Sequence, residues 1–118
     1  MKTLVIGASP NPERFSYKAV RLLKRYGHEV IPAGIRDGEI AGLPIIKGKP
    51  EVKDVHTVTL YVGPARQAEY YDYVLGLKPR RLIFNPGTEN PEFMRKAEEH
   101  GIKTVVNCTL VMLNGGLF

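Results

Sequence analysis

Short apolar runs alternate with amphipathic segments along the whole chain, and this alternation limits its fold more than any other feature. The first run, Leu4–Ile6, has the character of a buried strand, and apolar residues then keep helical spacing from Phe15 to Tyr26. Alternating strands and helices predict parallel strands joined by right-handed crossovers. We therefore predict an α/β fold in three layers, a Rossmann-like doubly wound sheet of about five mainly parallel strands with helices on both faces.

The remaining elements follow from β-branched runs, helix caps and helix-ending glycines. The predicted strands are Leu4–Ile6, His28–Pro32, His56–Val62, Leu82–Phe84 and Thr104–Cys108. The predicted helices are Phe15–Tyr26, Ala65–Leu75 and a third that starts after the N-cap Asn90 and ends at Gly101. Between Gly34 and Asp54, frequent Gly and Pro predict a loop with a short edge strand inside Ile40–Ile46 and one helical turn near Glu51–Val55.

Length, charge and cysteine content exclude several classes of protein. A chain of 118 residues has room for one core, so we expect a single domain over residues 1–118. No apolar run approaches the roughly 20 residues of a membrane helix, which predicts a cytoplasmic protein without membrane contact. The single cysteine, Cys108, excludes an internal disulfide. The net charge of +5 is scattered and lacks interleaved aromatic residues, so no nucleic-acid partner is expected.

The turn after the first predicted strand carries the clearest signal for a ligand. Gly7 lets a ligand approach the backbone, and Ser9, Asn11 and Ser16 offer short polar side chains. Unpaired N–H groups at the start of the following helix favour an anion. A nucleotide-like ligand is therefore the first hypothesis. A tight turn without a ligand is the alternative, because the chain has only the first glycine of the dinucleotide fingerprint G-x-G-x-x-G.

The end of the second predicted strand bears on the kind of nucleotide. A domain that binds NAD places an acidic residue there to hold the ribose hydroxyls. This chain instead has Pro32, Ala33 and Gly34, and its first charged group is Arg36. A guanidinium suits a ribose phosphate better than a bare ribose, although a solvated loop arginine explains Arg36 equally well.

Candidates for catalysis are few. His28 and His56 begin strands at the sheet edge opposite the expected ligand, and His100 lies in the last turn of a helix, so all three are interpreted as structural. Cys108 ends a strand on the ligand edge, where a half-buried hydrophobic role is favoured over a reactive thiol. We therefore predict a binding protein with no catalytic residue and no metal site.

Three stretches of the chain, Gly7–Tyr17, Leu22–Pro32 and Glu39–Pro44, resemble one known family. Their motif G-A-S-x-N-P…R-x-S is similar to that of the small stand-alone CoA-binding proteins, relatives of the CoA-binding domain that begins the succinyl-CoA synthetase alpha chain. The resemblance covers nearly the whole chain. It implies that coenzyme A or an acyl-CoA binds at the carboxyl edge of the sheet, with its diphosphate at the N-terminus of the first helix.

The resemblance also implies which residues contact each part of the ligand. The diphosphate would be surrounded by Gly7, Ala8, Ser9, Asn11, Arg14 and Ser16. The loop after the second strand would face the adenosine with its 3′-phosphate, and Arg36 is the candidate partner of that phosphate. The pantetheine arm would run between two turns, formed by Val62, Gly63 and Pro64 and by Asn85, Pro86 and Gly87. At Ala33-Gly34-Ile35 the chain departs from the Val-Asn-Pro usual in relatives.

Two other functions remain open from the sequence. In an NADP-dependent oxidoreductase, Arg36 would bind the 2′-phosphate, but the chain lacks a substrate domain and a recognisable proton relay. In a regulatory protein that senses an acyl-CoA, the helix bearing Tyr70, Tyr71 and Tyr73 would contact a protein partner or a second copy of the chain.

Overall fold

Six parallel strands form the main sheet of the computed structural model, which describes residues 1–118. The strands of the chain are β1 Thr3–Ile6, β2 Val30–Gly34, β3 Glu39–Ile40, β4 Leu43–Pro44, β5 Ile46–Lys47, β6 Thr57–Leu60, β7 Arg81–Phe84 and β8 Lys103–Val106. The helices are α1 Phe15–Arg25, α2 Pro64–Gln67, α3 Tyr71–Leu77, α4 Pro91–Glu99 and α5 Thr109–Asn114, and a 3₁₀ turn, Ala68–Tyr70, joins α2 to α3. The main sheet has the order β5-β2-β1-β6-β7-β8, and β3 and β4 form a separate antiparallel hairpin.

The predicted α/β fold is confirmed, because every neighbouring pair in the main sheet is parallel and helices cover both faces. Alternate residues of β1 point into different cores. Leu4 and Ile6 pack with Val74 of α3 and Phe93 of α4, whereas Val5 packs on the other face. That second core also contains Val20 and Leu23 of α1 and Leu113 of α5. The sheet is therefore buried on both faces, as its nearly continuous apolar strands require.

The excursion between β2 and β6 differs in part from the prediction. The segment Ile40–Ile46, in which an edge strand was expected, mainly forms the separate β3–β4 hairpin, and the sixth strand beside β2 is β5, which shares only Ile46 with that segment. The helical turn predicted near Glu51–Val55 is wrong, because this segment has a bend at Lys53 and Asp54 and no helix. Asp54 has a φ of +58°, which a right-handed turn cannot contain.

Two helical regions also differ from the prediction. The single helix expected over Ala65–Leu75 is divided by the 3₁₀ turn into α2 and α3. The sequence reasoning assigned no element to the last segment, where Thr109–Asn114 forms α5 against α1. No helix of the structure combines the length and the apolar character that crossing a bilayer would require.

The strand order positions a site. The chain runs from β1 outward to β2 on one side, and later returns to place β6 on the other side of β1. The loops that follow the neighbouring strands β1 and β6 therefore lead away from each other. A crevice opens between them at the carboxyl edge of the sheet.

Candidate ligand-binding site

A cavity of about 500 Å³ occupies this crevice. Its walls are formed by the four segments that follow β1, β2, β6 and β7. The lining residues are Gly7, Ala8, Ser9, Asn11, Arg14, Phe15, Ser16, Gly34, Ile35, Arg36, Tyr61, Val62, Gly63, Arg66, Tyr70, Pro86, Gly87 and Thr88. Parallel strands bring all four segments to one edge, so residues far apart in the sequence converge there.

The turn after β1 requires glycine at Gly7 for a reason that the sequence did not reveal. Gly7 has a φ of +93°, and a Cβ atom at this position would lie 2.9 Å from the carbonyl carbon of Tyr61 and 3.0 Å from Cγ2 of Val62. The space beside Gly7 is thus filled by the protein itself. A valine at this position would strain the backbone and displace the loop after β6, so the substitution would disturb the fold as well as any ligand.

Hydrogen bonds fix the shape of the turn between β1 and α1. The N–H groups of Gly7 and Ala8 both donate to the carbonyl oxygen of Ala33, at 3.0 and 2.9 Å. Farther along, Oγ of Ser9 accepts from the N–H of Asn11, and Oδ1 of Asn11 accepts from the N–H of Glu13. Ser9 and Asn11 therefore shape the turn in addition to lining the cavity.

The start of α1 faces the cavity with its backbone donors uncapped. Arg14 occupies the N-cap position, and its side chain makes no capping hydrogen bond. The first turn contains no acidic residue, and Ser16, which lines the cavity, is buried. Uncapped N–H groups and the positive end of the helix dipole together favour an anionic group at this point.

Three arginines and no acidic residue line the cavity. Arg14 follows β1, Arg36 follows β2 and Arg66 lies on α2 after β6. All three side chains are exposed, and none takes part in either of the ion pairs of the structure, Lys2–Glu29 and Lys47–Asp37. The cavity is consequently an electropositive cleft, suited to a ligand with several negative charges.

Two tyrosines form part of the cavity wall. Burial raises the pKa of Tyr61, and its hydroxyl oxygen is enclosed without a hydrogen-bond partner. Burial also raises the pKa of Tyr70, and the Lys49 ammonium lies 5.6 Å from the centre of its ring. Both phenols therefore stay neutral at physiological pH, and their rings add apolar surface to the cavity.

The structure brings most of the predicted site residues together. The cavity is lined by Gly7, Ala8, Ser9, Asn11, Arg14, Ser16, Arg36, Val62, Gly63, Pro86 and Gly87. Pro64 and Asn85 are not among its lining residues. Sequence reasoning missed Arg66, Tyr61 and Thr88. Arg66 falls inside the helix predicted over Ala65–Leu75, and none of the three residues belongs to a motif.

Asn85 acts within the protein. Its side chain is buried, and Nδ2 donates to Oγ1 of Thr59 at 2.6 Å and to the carbonyl oxygen of Leu60 at 2.8 Å. Its Oδ1 accepts from the N–H of Thr109 at 2.8 Å. This one amide thus joins β6, the end of β7 and the start of α5, because both of its N–H groups and one lone pair of its oxygen are bonded to protein atoms.

The other candidates for chemistry lie away from the cavity. His28 and His56 precede β2 and β6 at the amino edge of the sheet, as predicted, and His100 is the C-cap of α4. Cys108 is half-buried at the N-cap of α5 and does not line the cavity. No group of three or more His, Cys, Asp or Glu side chains is arranged to hold a metal ion.

Comparison with protein families identifies the kind of domain that carries this cleft. A family model described as a CoA binding domain matches residues 1–114. The chain belongs to the CoA-binding domain family. This confirms the resemblance seen in the motif G-A-S-x-N-P…R-x-S. None of the curated protein sequences matches this CoA-binding domain.

Solved structures share the whole architecture of this CoA-binding domain. A crystal structure of an uncharacterized protein is 50% identical in sequence, with a TM-score of 0.97 over 99% of this chain and 97% of the other. A hypothetical protein from Pyrococcus horikoshii OT3 is 28% identical, with a TM-score of 0.83 over 98% of this chain and 82% of its own. A protein from Thermus thermophilus is 25% identical, with a TM-score of 0.85 over 99% and 90%.

Proposed function

We propose that the protein binds coenzyme A or an acyl-CoA in the cleft at the carboxyl edge of the sheet, as a binding module without its own catalysis. The observation that carries the proposal is the electropositive lining of the cavity. Three guanidinium groups and the uncapped start of α1 meet there with no carboxylate. Coenzyme A carries a diphosphate and a separate phosphate monoester, and this charge matches such a lining.

In the proposed complex, the diphosphate lies at the start of α1, between the turn after β1 and Arg14. The adenosine lies toward the loop after β2, where Arg36 meets the 3′-phosphate. The pantetheine arm passes between the loops after β6 and β7, beside Gly63 and Gly87. This arrangement is supported by the position of all four loops around one cavity.

Ligand comparison tests the proposal directly. We expect calorimetry to rank coenzyme A first, dephospho-CoA weaker by about tenfold, and NAD and NADP weaker still. Dephospho-CoA lacks the 3′-phosphate, while the dinucleotides share its adenosine diphosphate and lack the pantetheine arm. Mass spectrometry of the small molecules released from freshly purified, denatured protein would identify a ligand that copurifies. NADP binding more tightly than coenzyme A would contradict the proposal and would favour the oxidoreductase.

A further inference from the structure

A buried amide side chain joins two of the four loops around the cavity. Gln67, at the end of α2, is fully buried. Its Nε2 donates to the carbonyl oxygen of Val62 at 2.8 Å and to that of Thr88 at 2.7 Å. Val62 and Thr88 line the cavity from opposite loops, the first after β6 and the second after β7. Gln67 thus connects two walls of the site without lining the cavity itself.

The two loops have no backbone connection of their own. The ladder between β6 and β7 ends at the pair Leu60 and Phe84, and no backbone hydrogen bond joins the loops beyond that pair. Asn85 contacts Leu60 at the base of the loops. Farther out, at the level of the cavity, the polar link between the walls is the side chain of Gln67.

A hydrogen-bond network holds Gln67 in its orientation. Its Oε1 accepts from Nδ2 of Asn90 at 3.0 Å, and the same Nδ2 donates to the hydroxyl of Tyr71 at 2.8 Å. Oδ1 of Asn90 accepts from the N–H of Phe93 and so caps α4. The amide of Gln67 is therefore fully satisfied and fixed against a helix terminus, as a buried polar group must be if it is not to destabilise the fold.

We propose that Gln67 is a positioning residue for the pantetheine arm. By holding the carbonyls of Val62 and Thr88, it fixes the separation of the two loops between which the arm passes. The identity of this ligand rests on the function proposed above. An apolar side chain of equal length would fill the same space, but it would leave both buried carbonyls without a donor, and the loops would separate.

Two variants and two ligands test this role. Gln67→Met removes the hydrogen bonds to both walls at nearly constant volume. Tyr71→Phe is the matched control, because it alters the outer end of the same network and leaves both wall contacts in place. We expect Gln67→Met to lose about tenfold in affinity for coenzyme A while its affinity for ADP, which lacks the pantetheine arm, stays within about twofold. Tyr71→Phe should bind both ligands like the wild type.

Equal losses for coenzyme A and ADP in Gln67→Met would overturn the proposal, since they would indicate general damage to the fold. An unchanged affinity for coenzyme A would also overturn it. If Gln67→Met cannot be purified folded, Gln67→Asn serves the same comparison, because its shorter amide cannot reach both carbonyls.

Hydrogen exchange separates this proposal from the identity of the ligand. Without any ligand, the hydrogen-bonded amides of Arg66, Gly87 and Thr88 should exchange faster in Gln67→Met than in the wild type, while those of β1 and α1 stay unchanged. Unchanged exchange in the loops would overturn the role of Gln67. Failure of the wild-type protein to bind coenzyme A, with faster loop exchange in the variant, would instead overturn only the proposed function and its assigned ligand.

Discussion

In the proposed complex, two arginines on opposite sides of the turn at Gly7 contact different phosphates of the ligand. Arg36 lies beyond β2 and Arg66 beyond β6, on either side of β1, so we expect the 3′-phosphate to be held mainly by one of them. We predict that Arg36→Ala erases the affinity difference between coenzyme A and dephospho-CoA, a loss of about tenfold for coenzyme A alone, measured by calorimetry at low salt. Arg66→Ala should weaken both ligands by the same factor.

The two variants control for each other, because each removes one exposed guanidinium from the same cavity. If Arg66→Ala erases the difference and Arg36→Ala does not, the 3′-phosphate lies on the β6 side and the assignment of Arg36 is wrong. If the affinity difference between coenzyme A and dephospho-CoA persists in both variants, Arg14, the third arginine of the cavity, becomes the candidate partner of the 3′-phosphate.

At the scale of elements, the end of β2 packs directly on the turn that follows β1. A Cβ atom on Gly34 would overlap the carbonyl oxygen of Ala8. We predict that Gly34→Ala lowers the free energy of unfolding by about 2 kcal/mol, because the backbone of the turn must move to accept the methyl group. Urea denaturation measures the change.

Gly76→Ala provides the matched control for Gly34→Ala. Gly76 lies inside α3, and a Cβ atom added there meets nothing within 4 Å. The same substitution should therefore be neutral or stabilise the protein by about 0.5 kcal/mol, since alanine favours a helix and restricts the unfolded chain. Equal stability of Gly34→Ala and the wild type would show that β2 and the turn are not closely packed.

The sequence predicted β1, β2, β6, β7 and β8 together with α1 and α4, but not the elements whose positions depend on tertiary contacts. The parallel strands are recognisable in the sequence as continuous apolar runs, because both faces of the sheet are buried. By contrast, α5 has few local helix signals, and its first N–H is bonded to Asn85, far away in the sequence. The 3₁₀ turn similarly begins directly after Gln67, whose side chain is hydrogen-bonded to Thr88, 21 residues away in the sequence.

The sequence predicted the site residues that lie in one local turn, but not those that reach the cavity because distant segments meet there. The turn from Gly7 to Ser16 has a motif, and the cavity includes most of it. Asn85 looked like a loop residue at the ligand edge, yet its amide is buried among protein partners. Arg66 belongs to no motif, and only the convergence of the segments after β1, β2, β6 and β7 places it at the cavity.

At the scale of the whole molecule, the sheet separates the proposed ligand cleft from a pair of histidines at its other edge. Burial lowers the pKa of His28 and of His56 from the usual value of 6.5, and the positive charge of Arg81 lowers both further. The ring of His28 packs against that of Phe118, and Nδ1 of His56 lies 2.8 Å from Oγ1 of Thr57. Folding therefore favours the neutral form of each imidazole.

These lowered pKa values set the direction of the pH dependence. Below pH 6.5 the imidazoles bind protons in the unfolded chain more readily than in the folded protein. The contribution of the two neutral histidines to stability is therefore fully present above that pH, and it is lost as the pH falls through the lowered pKa values. We predict that the free energy of unfolding in urea decreases between about pH 7.5 and about pH 5, and that replacing both His28 and His56 by Gln reduces this decrease. Because both histidines lie at the edge away from the cleft, the double variant should bind coenzyme A like the wild type at about pH 7.5. An unaltered slope in the double variant would show that the acid sensitivity of the protein arises elsewhere, from groups such as the carboxylates.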